Sequence, residues 1–72
     1  IIFYKTDNTL YIKGLKKNSK MIFYNLKGNC VFSKFFPLEE NLVKIPIELN
    51  WGKIFLIKII TEDEIQTAKV IL

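Results

Sequence analysis

Two short apolar runs around a polar hinge constrain this chain more than any other feature. Residues 21–26, Met-Ile-Phe-Tyr-Asn-Leu, and residues 30–36, Cys-Val-Phe-Ser-Lys-Phe-Phe, flank Lys27-Gly28-Asn29. Each run is rich in aromatic and aliphatic residues and too short to stand as a helix. Gly-Asn between such runs is a hairpin signal, because both residues tolerate the positive φ that tight turns demand. Strands over 21–25 and 30–36, turning at Gly28 and Asn29, are therefore expected. A lone hairpin is marginal in water, so the remaining segments must supply strands that cover it.

The remaining segments read as strands and turns. Residues 1–5 form a first β-branched and aromatic run, and 6–9 a turn cluster. Leu10 and Ile12 alternate with Tyr11 and Lys13 until Gly14-Leu15 closes the strand. Residues 16–20, Lys-Lys-Asn-Ser-Lys, are a polar loop. Pro37 lacks a backbone donor and ends the fourth strand; 38–41 are a loop with room for one helical turn. In 42–47, Val43, Ile45 and Ile47 alternate with Lys44 and Pro46, and Pro46 marks an edge. Residues 48–52 form a turn, with Trp51 as a plug at one end of the fold. Residues 53–60 are the most apolar run and are expected to be a central strand that buries Ile54, Leu56, Ile57 and Ile59. Residues 61–64 are an acidic turn, and 65–72 a final strand. About seven short strands without a helical period predict an all-β fold, a small antiparallel β-sandwich; a five-stranded barrel of the OB type is the alternative.

Composition narrows the function classes. With 72 residues there is room for one small domain, and half of them are hydrophobic, which excludes a disordered chain. No apolar run is long enough to cross a bilayer as a helix. The net charge of +4 comes from 11 lysines without an arginine. Arginine is the preferred bidentate reader of phosphate and guanine, so this balance points away from a nucleic-acid partner and toward an AT-rich genome. Histidine is absent, which removes imidazole acid–base chemistry and metal ligation. Cys30 stands alone, so it forms no internal disulfide or structural zinc site and is expected to be a small buried hydrophobe. Glu39 and Glu40, and Glu62, Asp63 and Glu64, fall in turns, where solvated carboxylates are the simple reading. The glycines are isolated, with no phosphate-cradling loop. A non-enzymatic chain without cofactor or metal is expected. Lys13, Lys16, Lys17 and Lys20, with Tyr11 and Tyr24 in reach, form the one pattern suited to single-stranded nucleic acid; a solvated loop that guards a sheet edge competes with it.

The residues also carry a family resemblance. Ile22-Phe23-Tyr24-Asn25-Leu26-Lys27-Gly28-Asn29 followed by Cys30-Val31-Phe32-Ser33-Lys34 resembles the hairpin of the C-terminal sorting domains of the type IX secretion system. Leu10-Tyr11-Ile12 with Gly14-Leu15 resembles that family's opening strand, and Lys44-Ile45-Pro46-Ile47 its short middle strand. Ile54-Phe55-Leu56-Ile57-Lys58-Ile59 resembles its penultimate strand, and Gln66-Thr67-Ala68-Lys69-Val70-Ile71-Leu72 its closing one. The chain departs from the family where Lys5-Thr6-Asp7-Asn8 follows Tyr4 in place of Pro-Asn-Pro. It also has Asn25 for Asp, Asn29 for a basic residue and Phe55 for Tyr, and Gly52 lies one residue early.

The resemblance implies an immunoglobulin-like β-sandwich at the C-terminal end of a longer exported protein of the Bacteroidetes type. It implies passage through the periplasm to the cell surface or medium. The implied partners are the outer-membrane translocon, a sortase-like peptidase and an upstream cargo domain. Lys69, Val70, Ile71 and Leu72 are the expected recognition segment; Gly28, Asn29 and Gly52 are the expected turn-setting residues. Two other classes stay open: a structural immunoglobulin-like interaction module, and a small β-barrel that binds single-stranded nucleic acid.

Overall fold

The computed structural model describes residues 1–71. Seven strands run in chain order: β1 (Ile2–Thr6), β2 (Thr9–Leu15), β3 (Ser19–Asn25), β4 (Cys30–Phe36), β5 (Glu40–Pro46), β6 (Ile54–Ile60) and β7 (Ile65–Ile71). A single 3-10 turn, Leu49–Trp51, precedes β6. The strands make two antiparallel sheets, ordered β1-β2-β5 and β4-β3-β6-β7. This is a small antiparallel β-sandwich, in which the fourth strand pairs beside the third in the larger sheet. Hairpins join β1 to β2, β3 to β4 and β6 to β7, and the chain changes sheet between β2 and β3, β4 and β5, and β5 and β6.

Alternation decides which side chains meet between the sheets. Leu10 and Ile12 of β2 and Val43 and Ile45 of β5 face Met21 and Phe23 of β3 and Phe55, Ile57 and Ile59 of β6; all are buried. The pairs Leu10–Ile45, Ile12–Val43, Met21–Ile59 and Phe23–Ile57 bring these inward positions opposite one another in each sheet. Phe23 is the hub of an aromatic cluster. Its ring centre lies 5.0 Å from Phe32, 5.6 Å from Phe55 and 5.4 Å from Trp51, which meets it edge-on. Each such pair adds about 0.5–1.5 kcal/mol beyond its area burial. Trp51 is buried and caps this end of the core, as the sequence suggests.

Several expectations need correction. β6 is an inner strand, but only one of its faces is covered: Phe55, Ile57 and Ile59 point inward, Leu56 is exposed and Ile54 half-buried. A two-layer sandwich has no third layer over this sheet, so a continuous apolar run is still split by the pleat. Ser19 and Lys20 belong to β3, not to a loop, and Ser19 is fully buried; its Oγ–H donates to the Lys16 carbonyl, which satisfies the hydroxyl. Leu15 ends β2, as expected, and contributes a buried side chain to the core. Gly14, at φ 76°, shifts the in–out alternation by one residue, so that Leu15 points inward. Residues 40 and 41 extend β5 in place of any helical turn.

Cys30 is exposed, not buried. The register explains why. Phe23 pairs with Phe32, but Tyr24 pairs with Cys30, so Val31 is an extra residue in β4. This bulge reverses the alternation, and Cys30 falls on the outer face opposite Tyr24 while Val31 and Phe32 both pack against the core.

Candidate recognition surface

The turn at the head of the β3–β4 hairpin is built differently from a two-residue Gly-Asn turn. The Gly28 N–H donates to the Asn25 carbonyl over 3.0 Å, so Leu26 and Lys27 occupy the corner positions. Gly28 follows at φ 86°, and Asn29 does not share its positive φ. Asn29 closes the ladder: its carbonyl accepts from the Asn25 N–H at 3.0 Å. The Asn25 side-chain oxygen accepts from the N–H groups of Lys27 and Asn29, both at 3.0 Å. Asn25 thus organises the loop in the way a short polar residue at a turn can. Gly52 has the same backbone need, at φ 86°, where the 3-10 turn passes into β6.

These two turns are neighbours in space. Asn25, Leu26, Lys27 and Asn29 on one side and Asn50, Trp51, Gly52 and Lys53 on the other line an open recess of about 410 Å³, which Ile54 completes. Ile54 is the β6 partner of Ile71. Asn29, Gly52 and the far end of β7 therefore lie at one end of the sandwich, although Gly52 and Ile71 are 19 positions apart in sequence.

The expected recognition segment lies on β7. Lys69 pairs with Leu56 on the outer face; Val70 pairs with Phe55 and packs against the core; Ile71 is 65% exposed. Leu72, the last residue of that segment, lies outside the described residues. β7 pairs with β6 in unbroken register from Ile60–Ile65 to Ile54–Ile71, and among the described residues no strand pairs with its other side. It presents a full-length free edge.

The other edges carry features that discourage strand addition. On β4 the Val31 bulge bends the ladder, and Lys34 pairs with buried Met21, which turns it toward the core side. Its ammonium comes to rest 5.1 Å from the centre of the Phe36 ring. On β1, a five-residue strand, Lys5 pairs with buried Leu10 and so also starts from the core side. β5 ends in Pro46. The inward lysines are readable in the sequence, since Lys34 alternates with Phe32 and Phe36, but the edge status that makes them meaningful is not.

The basic-aromatic pattern of the sequence is divided by the fold. Tyr11 and Lys13 lie on the outer face of the three-stranded sheet, where Tyr11 stacks on Tyr4 at 4.9 Å and Lys13 sits 5.5 Å above the Tyr4 ring. Tyr24 and Lys20 lie on the outer face of the other sheet. No single surface gathers them. Lys16, in the loop between, reaches Glu64 at 3.9 Å, and Asn18 donates to Glu62 at 3.1 Å. An exposed ion pair of this kind contributes little, but both contacts draw the acidic turn toward the β2–β3 loop.

Fold and surface together define a small antiparallel β-sandwich with one unguarded edge strand. The sequence matches no protein-family model, no curated protein and no solved structure.

Proposed function

We propose that this chain is a sorting domain that directs an exported cargo across the outer membrane, with its last strand as the part a partner reads. The observation that supports this reading most is the β7 edge: seven residues in regular register, free of proline, glycine and bulge, unpaired on one side. A strand with unmet backbone donors and acceptors accepts an added strand, and the pockets beside it add selectivity. The recess at the end of β7 supplies such a pocket, with Leu26 and Ile54 as apolar walls and Lys27 and Lys53 as cations. In this reading Lys69, Val70, Ile71 and Leu72 bind the translocation machinery. Gly28, Asn29 and Gly52 shape the recess, and a sortase-like peptidase releases the domain from its cargo.

The test is a fusion of the 72 residues to a periplasmic reporter in a host with this secretion system. Surface delivery of the fusion, and periplasmic retention of a Val70→Lys variant that still melts cooperatively, are the expected results. Retention of the parent fusion in the periplasm overturns the proposal. A structural interaction module is the second reading. It is favoured by the exposed apolar side chains of Phe35, Leu56 and Ile65 on the larger sheet.

A further inference from the structure

Among the described residues nothing covers the outer face of the four-stranded sheet, and its chemistry is uneven. Its apolar side chains cross all four strands: Phe35 on β4, Ile22 on β3, Leu56 on β6 and Ile71 on β7. Phe35 is 55% exposed and Ile71 65%. The register places Phe35 opposite Lys20, Lys20 opposite Ile60, Ile22 opposite Lys58 and Leu56 opposite Lys69. Three lysines thus stand among the apolar groups, and no Asp or Glu occupies any position of these four strands. None of the three lysines is in an ion pair among the described residues. An apolar patch studded with unpaired charges of one sign is an interaction surface whose partner must supply the opposite sign.

We propose that this face docks an acidic, amphipathic segment of a partner protein. Charge selects among the occupants. A second copy would set lysine against lysine across the interface. An anionic bilayer would meet the lysines, but it would also approach Glu62, Asp63 and Glu64, which form the turn between Ile60 and Ile65 at one end of this sheet. A discrete segment can place its carboxylates over Lys58 and Lys69 and stop short of that turn. Its apolar stripe would cover Leu56 and Ile22, and the edge position of β7 leaves room for it to enter from the side. The inference holds independently of any sorting role for the terminal strand.

The test uses the whole chain and a synthetic amphipathic helical peptide of about 15 residues, with leucines on one face and glutamates flanking them. Expected is saturable binding on the order of micromolar at low salt, with NMR shift changes confined to β3, β4, β6 and β7. A Lys58→Glu variant, and independently Lys69→Glu at the more exposed edge position, should each weaken binding about tenfold or more. Lys13→Glu on the opposite sheet should change it less than about twofold. The same peptide with lysines in place of glutamates should not bind. Equal affinity for both peptides, shift changes on the three-stranded sheet, or absence of binding at low salt would overturn the proposal. So would binding to phosphatidylglycerol vesicles that both Lys→Glu variants abolish while the peptide leaves the protein untouched; the face would then be a lipid surface.

Discussion

β4 and β7 are the two edges of one sheet, equal in length and built over the same core, yet they treat a neighbouring strand in opposite ways. β4 bends at Val31 and aims Lys34 inward, so a strand that approached it would meet a kink and would have to bury a charge. β7 is straight and presents Gln66, Ala68 and Val70 on its core side, none of them charged. The difference shows that edge protection here comes from single residues placed at one edge, not from a property of the sheet. An edge left without them is available for recognition.

The largest expected effect removes what the two edges share. Phe23→Ala takes out the ring that links Phe32 of β4 to Phe55 of β6 and should cost about 3–5 kcal/mol. Denaturant melts should show both hairpins lost in one transition; survival of the β6–β7 hairpin alone would mean the edges rest on separate cores. Next is the head of the β4 hairpin. Gly28→Val forces a branched residue to φ 86° and should cost about 1–2 kcal/mol, with its effect on hydrogen exchange concentrated in β3 and β4. Deleting Val31 should cost on the order of 1 kcal/mol for its lost half-burial and should straighten β4, since Phe23–Phe32 and Tyr24–Cys30 then become consecutive pairs. Combined with Lys34→Ile, it should make β4 as open as β7, seen in sedimentation as concentration-dependent association stronger than that of the parent, in which β7 alone is open. If the double variant associates no more than the parent, the contrast between the edges is not the one described. The smallest effect is Lys34→Ile alone, within about 0.5 kcal/mol of the parent in stability.

The strand pattern was largely readable, and particular residues show why. Val43 and Ile45 against Lys44 and Pro46 display period two openly, and the structure places them buried and exposed accordingly. Residues 54–57, Ile-Phe-Leu-Ile, hide the period because every position is apolar. Which ones face the core follows only from the pairing of Ile57 with Phe23 and Phe55 with Asn25. Cys30 is misread for a related reason: the bulge that turns it outward comes from one uncounted residue, and Val31 gives no sign of being extra. The recess and the β7 edge were less readable still. The meeting of Ile71 with Ile54, and of Asn29 with Gly52, depends on register and on the path between the sheets, and neither leaves a local mark on the sequence.

The strand order has a consequence for how the chain comes to be folded. β3 is an interior strand with β4 on one side, and on the other side it waits for β6; β2 likewise waits for β5. Phe55, Ile57 and Ile59, half of the wall that Met21 and Phe23 pack beside, arrive with the last quarter of these residues. A ribosome that has made residues 1–50 has therefore produced hairpins without a closed interior, and long-range pairing of this kind is slow to form. The interior closes only once β6 and β7 are present, so the strands that emerge last among these residues are the ones on which burial of the earlier hairpins depends.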